Sequence, residues 1–275
     1  MSLRLLLPLF ALLPPGCLHA GDWMLSEGQQ SLYSSLSLSR ADSYWDDRRD
    51  LQRDDCTSRD WRADLHYEYG YSYYRTLFAA TSFERDACGD QRSVGIPDVK
   101  LGMRGRVDPF RNSYSWELAL IVPVNGDRVD RRKPGIGLFG IEAGLFRTYR
   151  DDPYEKPFTV LTRGIWGWGL GVTLWGEGAG HELWGELNWR RRLNRDWRFK
   201  SWLSGRYALA GDRVGADDIF SSRKSIDYDE LTLGGRFTRR LSRGTSLGLS
   251  LEQALWGRNT SQDTSLQLEL YRSWD

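Results

Sequence analysis

In GIPDVKLGMRGRV, residues 95–107, polar and apolar residues alternate from Asp98 onward. Asp98, Lys100, Arg104 and Arg106 fall on one phase; Val99, Leu101, Met103 and Val107 fall on the other. A period of two describes a β-strand with two unlike faces. The same alternation, bounded by turn residues, recurs along the chain. It predicts strands at 31–40, 61–70, 73–84, 95–107, 113–122, 137–149, 158–175, 182–193, 196–209, 228–241, 245–256 and 264–274. The segment FTVLTRGIWGWGLGVTLW (158–175) carries a glycine ladder.

The connections add a second pattern. In chain order the odd ones run long, at 41–60, 85–94, 125–136 and 210–227, with shorter ones near 176–181 and 257–263. The even ones are mostly compact and rich in Gly, Pro, Asn and Asp, as tight turns require. Alternating long and short connections with an even strand count mark an outer-membrane barrel, whose short turns face the periplasm. A third pattern agrees: Tyr69, Tyr73, Tyr74, Phe110, Tyr114, Trp116, Phe158, Trp189, Trp197, Phe199 and Trp274 gather at the short-turn ends. Amphipathic rings suit the headgroup level there. The expected fold is all-β: a transmembrane antiparallel up-and-down barrel of about twelve strands. Leu101→Arg, on its lipid face, is expected to harm insertion far more than Arg104→Leu.

The N-terminus reads MSLRLLLPLFALLPPGCLHA, with Arg4 before an apolar run and a small-residue exit at Ala20. This is the form of a cleaved secretory signal, too short and Pro-broken for a spanning helix. Cys17 raises a lipoprotein alternative, but Pro14 and Pro15 occupy positions where a lipobox needs other residues. The expected organisation is a signal peptide at 1–20, a periplasmic segment at 21–30 and the barrel at 31–275. The chain carries 38 basic and 37 acidic residues, and loss of Arg4 with the leader equalises them. That balance argues against nucleic acid as a partner. Cys56 and Cys88 are left in the mature chain, and in an exported protein a disulfide between them is the expected reading, with two free thiols as the alternative.

GDWMLSEGQQ (21–30), LHYEYGYSYYRTLF (65–78), GIPDVKLGMRGRV (95–107) and LALIVPVNGD (118–127) resemble, in order, landmarks of the XagA-like and phenol-degradation (MetA-pathway) outer-membrane proteins. Glu68, Tyr69 and Gly70 match the first hairpin; Gly95, Asp98, Leu101, Gly102 and Arg104 match the next strand; Pro123 and Gly126 match its following turn. The resemblance implies an outer-membrane channel for small, hydrophobic or aromatic molecules. It covers 21–127 and rests on structural rather than catalytic motifs. Barrels of this type end on an aromatic read by the assembly machinery, whereas this chain ends YRSWD, with Trp274 before Asp275.

If one phase meets outer-membrane lipid and lipopolysaccharide, the other lines the lumen. The candidate lining residues are Arg62, Asp64, His66, Glu68, Asp98, Lys100, Arg104, Arg106, Glu186, Arg190, Arg206 and Arg236. Charges of both signs at this density should pair, because an isolated interior charge is costly. Two roles follow: a scaffold network holding strands in register, or a polar channel lining for a small-molecule ligand. Past the leader the histidines are His66 and His181, and neither has the Ser and polar partner of a nucleophilic site. The expectation is therefore no catalytic residue, no metal and no cofactor. The alternatives to a channel are a closed accessory barrel, for instance one serving surface polysaccharide, and a barrel lipid hydrolase.

Overall fold

The computed structural model describes residues 24–88, 91–107, 114–124, 138–150, 164–176, 181–209 and 228–275. The expected leader, Phe110 and Phe158 lie outside these residues. The strands are β1 (Gln30–Trp45), β2 (Leu51–Ser72), β3 (Arg75–Cys88), β4 (Gln91–Gly95), β5 (Asp98–Arg106), β6 (Tyr114–Pro123) and β7 (Gly140–Arg150). They continue as β8 (Ile165–Trp175), β9 (Glu182–Arg192), β10 (Trp197–Ala208), β11 (Asp229–Arg240), β12 (Thr245–Arg258), β13 (Thr260–Ser261) and β14 (Thr264–Trp274). Every pairing is antiparallel, and with the short β4 and β13 set aside each strand pairs with its sequence neighbours, apart from the seam. There β1 pairs with β2 on one side and β14 on the other, which closes a barrel of 12 strands. Closure removes the unpaired edges that an open sheet would expose.

Two short strands stand outside this count. β4 pairs with the far half of β3, and β5 pairs with its near half, so the two act as one wall strand interrupted at Ile96–Pro97. Proline lacks an N–H for the ladder, which accounts for the break there. β13 adds two residues beside the end of β1.

The alternation that predicted the strands has the expected consequence. Leu101 on β5 is 47% exposed, while Arg104 on the same strand is 3% exposed. Cross-strand register assembles the exposed leucines into rows: Leu251 opposes Leu266, which opposes Leu38; Leu249 opposes Leu268, which opposes Leu36. These rows make an apolar belt around the outside, the surface that lipid hydrocarbon would cover. Aromatics continue the belt at the short-turn end. Trp166 meets Trp189, Trp189 meets Phe199, and Phe199 meets Phe237, at ring separations of 4.8–6.3 Å.

The expected long loops at 41–60 and 85–94 are corrected. β1 and β2 run on past the apolar belt to a tight turn at Asp46–Asp50, and β3 and β4 extend in the same way. Charged and polar residues crowd both phases of the sequence beyond the belt, so the hydrophobic period is lost although backbone pairing continues. Cys56 on β2 and Cys88 on β3 form a disulfide within these extensions, with Cα atoms 5.6 Å apart.

Residues 24–29 fold back against the short-turn end. Gly28 N–H donates to the Gly70 carbonyl (2.9 Å), Gly70 N–H to the Gln29 carbonyl (2.8 Å), and Leu25 N–H to Thr76 Oγ1 (3.2 Å). Leu25 and Thr76 are buried. A Cβ on Gly70 would run into the Ser26 carbonyl, so only glycine admits the chain at this height.

Candidate functional site

The charged phase of β2, β5, β6 and β7 is knitted into a chain of ion pairs. Lys100 Nζ donates to Glu142 at 2.7 Å and to Glu117 at 3.0 Å. Arg104 then joins Glu117 (2.9 Å) to Glu68 (3.1 Å), reaching over β3 to do so. The ring of Phe78 on β3 lies beneath both cations, 5.5 Å from Lys100 and 5.7 Å from Arg104. His66 pairs with Glu68 at 3.0 Å and stacks on the same ring. Ser31 Oγ donates to Glu68, and Ser35 Oγ to Asp64. Arg62 pairs with Asp64 and, at 2.9 Å, with Glu84. Asp98 is half-buried at the start of β5, and Arg106 lies 5.3 Å over Tyr73 at the other end.

A second network occupies β9 to β14. Glu186 accepts from Lys200 (3.0 Å) and from Asn188 (2.7 Å). Arg206 pairs with Glu182 and donates to the Tyr228 hydroxyl. Arg236 passes over β12 to Glu269 on β14, which also accepts from Ser250 Oγ. Arg190 stands directly opposite Lys200. Gln267 donates to Ser35 Oγ and the Tyr33 hydroxyl, carrying polar contact across the seam. The pairs link neighbouring and next-neighbouring strands. Breaking one partner of such a buried pair strands its mate, whereas replacing a whole pair by apolar groups is close to neutral.

Sequence reasoning placed the aromatics outside and missed those on the charged phase. Phe78, Phe146, Trp184 and Trp202 are all buried there. The signal was present in the glycines: Gly171 on β8 underlies the Trp184 indole, and Gly234 on β11 underlies that of Trp202. A bare backbone lets each ring lie against the wall instead of projecting from it. Trp202 Nε1 donates to Glu252 at 2.9 Å, from the far side of Gly234.

The long-loop end has its own anchor. Asp229, fully buried, accepts from Arg49 (2.9 Å) in the β1–β2 turn and from Arg258 (3.0 Å) on β12. Arg49 adopts a left-handed backbone (φ 68°) and stacks 5.0 Å over Trp256. His181 lies just before β9 at this end, away from His66. Among the described residues, no group of three or more His, Cys, Asp or Glu could hold a metal ion.

The chain matches no family sequence profile and no curated protein. Its fold is that of the COG4313 outer membrane channel from Pseudomonas putida F1, with a TM-score of 0.71 at 15% identity over 95% of this chain and 99% of that one. Looser likenesses include the Ralstonia pickettii toluene transporter TbuX (TM-score 0.46, 10% identity, 91% and 90% covered). The CymD monoaromatic hydrocarbon channel scores 0.45, at 10% identity over 90% and 88%. The likeness to the first of these is one of fold, a closed antiparallel β-barrel.

Proposed function

We propose that this chain is an outer-membrane channel for small molecules, with aromatic solutes among those it accepts. The observation that carries the reading is the inward phase itself: paired charges alternate with Phe78, Phe146, Trp184 and Trp202 laid flat against glycine. A soluble barrel would fill its interior with apolar side chains; a wall that is polar and keeps its rings flat is suited to a wet passage. The name of the structure sharing this fold, an outer membrane channel, supports the same reading. The twelve residues predicted as lining belong to this wall in the proposal, and the leucine belt takes outer-membrane lipid and, on the outer leaflet, lipopolysaccharide.

One observation favours a second reading. The segment that seats Leu25 folds back against the short-turn end, the place where a closed accessory barrel would be sealed. Planar-bilayer recording of the refolded chain separates the two, combined with liposome uptake of benzyl alcohol and of arabinose. Stepwise conductance with uptake supports the channel; a barrel closed at all voltages, with no uptake, overturns it.

A further inference from the structure

The cations of this chain are unevenly placed. Residues 190–200 and 236–243 together carry 10 Arg or Lys and 1 carboxylate, Asp196, within a chain of 38 basic and 37 acidic residues. The fold brings both segments to one location, the short-turn ends of β9, β10 and β11. Register sets Lys200 between Arg190 and Arg236, each directly opposite it, and sets Arg198 opposite Arg192 one step nearer the turn.

Like charges directly opposite each other weaken an antiparallel pair. The pairing of strands alone does not favour this arrangement, and among the described contacts carboxylates meet two of its members. Glu186 meets Lys200 and Glu269 meets Arg236, but Arg192 donates to the backbone carbonyls of Asn194 and Arg195. On the opposite wall, Glu68, Glu117 and Glu142 gather around Arg104 and Lys100, so their pairing is within that wall rather than with this cluster.

Phase decides where the excess points. Arg192 and Arg198 continue the inward phase of Trp184 and Trp202 and are exposed at the mouth. Arg191 and Arg239 lie on the other phase, where Arg239 stacks 5.7 Å over Trp197 in the outer aromatic girdle. The outward pair is placed for lipid phosphate, the inward pair for whatever passes the mouth. A cleft lined by one sign of charge raises the local concentration of counter-ions roughly 10- to 1,000-fold.

We infer that the β9–β11 side of the short-turn mouth is an anion-collecting vestibule, which biases the lumen toward small carboxylate-bearing solutes. The inference rests on the channel reading for its role in passage. Its test uses the full chain in planar bilayers under a potassium chloride gradient. The expected reversal potential is chloride-preferring. It shifts toward the potassium side in R192E/R198E and stays put in R191E/R239E. Benzoate should enter liposomes faster than uncharged benzamide, with the difference shrinking as salt rises. A potassium-preferring wild type, or a reversal potential unmoved by R192E/R198E, overturns the inference while leaving the channel intact. A barrel without current overturns the channel reading instead, and citrate titration of the folded protein then decides the vestibule. Citrate binding that R192E/R198E abolishes supports it, and no binding by the wild type overturns it.

Discussion

Arg104 on β5 reaches Glu68 on β2 at 3.1 Å, crossing the intervening β3 over the face of Phe78. Since it also holds Glu117, its removal takes one cation from between two buried carboxylates, leaving Glu117 to Lys100 and Glu68 to His66 and Ser31. Arg104→Leu should therefore cost about 3–5 kcal/mol, and Leu101→Arg about 2–4 kcal/mol from a charge placed in mid-membrane. These are losses of stability; the expectation that Leu101→Arg harms insertion far more than Arg104→Leu stands beside them as a separate prediction. Urea titration of refolded protein measures both losses. Adding Glu68→Gln and Glu117→Gln should recover part of the Arg104→Leu loss and none of the Leu101→Arg loss. A failure to recover would count against the ion-pair account.

Gly70 has no room for a side chain beneath Ser26. Gly70→Val should expel residues 24–29 from the short-turn end while the strands persist. A cysteine introduced at Leu25 reports this: slow to react with a maleimide in the parent, fast in the Gly70→Val background. Equal rates would mean that the segment is not seated as described.

The Cys56–Cys88 disulfide closes a loop across a sequence separation of 32 residues. In the chain-entropy view such a loop contributes roughly 3–4 kcal/mol by restricting the unfolded chain. Cys56→Ser/Cys88→Ser should lower the urea midpoint accordingly, and a reductant should lower the parent's midpoint but leave the variant's unchanged. An unshifted midpoint would remove the disulfide from the stability of the barrel.

Asp46 organises the β1–β2 turn beyond the apolar belt. The Asp50 amide is the main influence on its carboxylate, donating at 2.9 Å, with the Arg48 amide and Gln52 adding to it; together they hold its pKa below the usual aspartate value. The folded value lies below the unfolded one. Its contribution is therefore present above the ordinary aspartate range and is lost as pH falls through the lowered folded value. The Arg48 and Asp50 amide signals should titrate together in NMR, with a midpoint below that of an ordinary aspartate. A midpoint at or above the ordinary value would sink this account of the turn.

How much of this was legible in the sequence differs by feature. The phase of GIPDVKLGMRGRV, and with it the exposure of Leu101 and the burial of Arg104, follows from a period of two, because adjacent residues in a strand face opposite ways. The strand count and the short turns followed from the same period and from Gly, Pro, Asn and Asp. What alternation cannot carry is the height of one strand against another. Whether Arg104 meets Glu68, Arg236 meets Glu269, or Trp202 lies over Gly234 depends on register around the closed wall. Register is also what turned scattered arginines into one row at Lys200. The sequence alone determined which side chains face in and which face out, since that is a property of each strand by itself. Only the tertiary structure decided which inward groups are neighbours, since that depends on how the strands are staggered when the sheet closes.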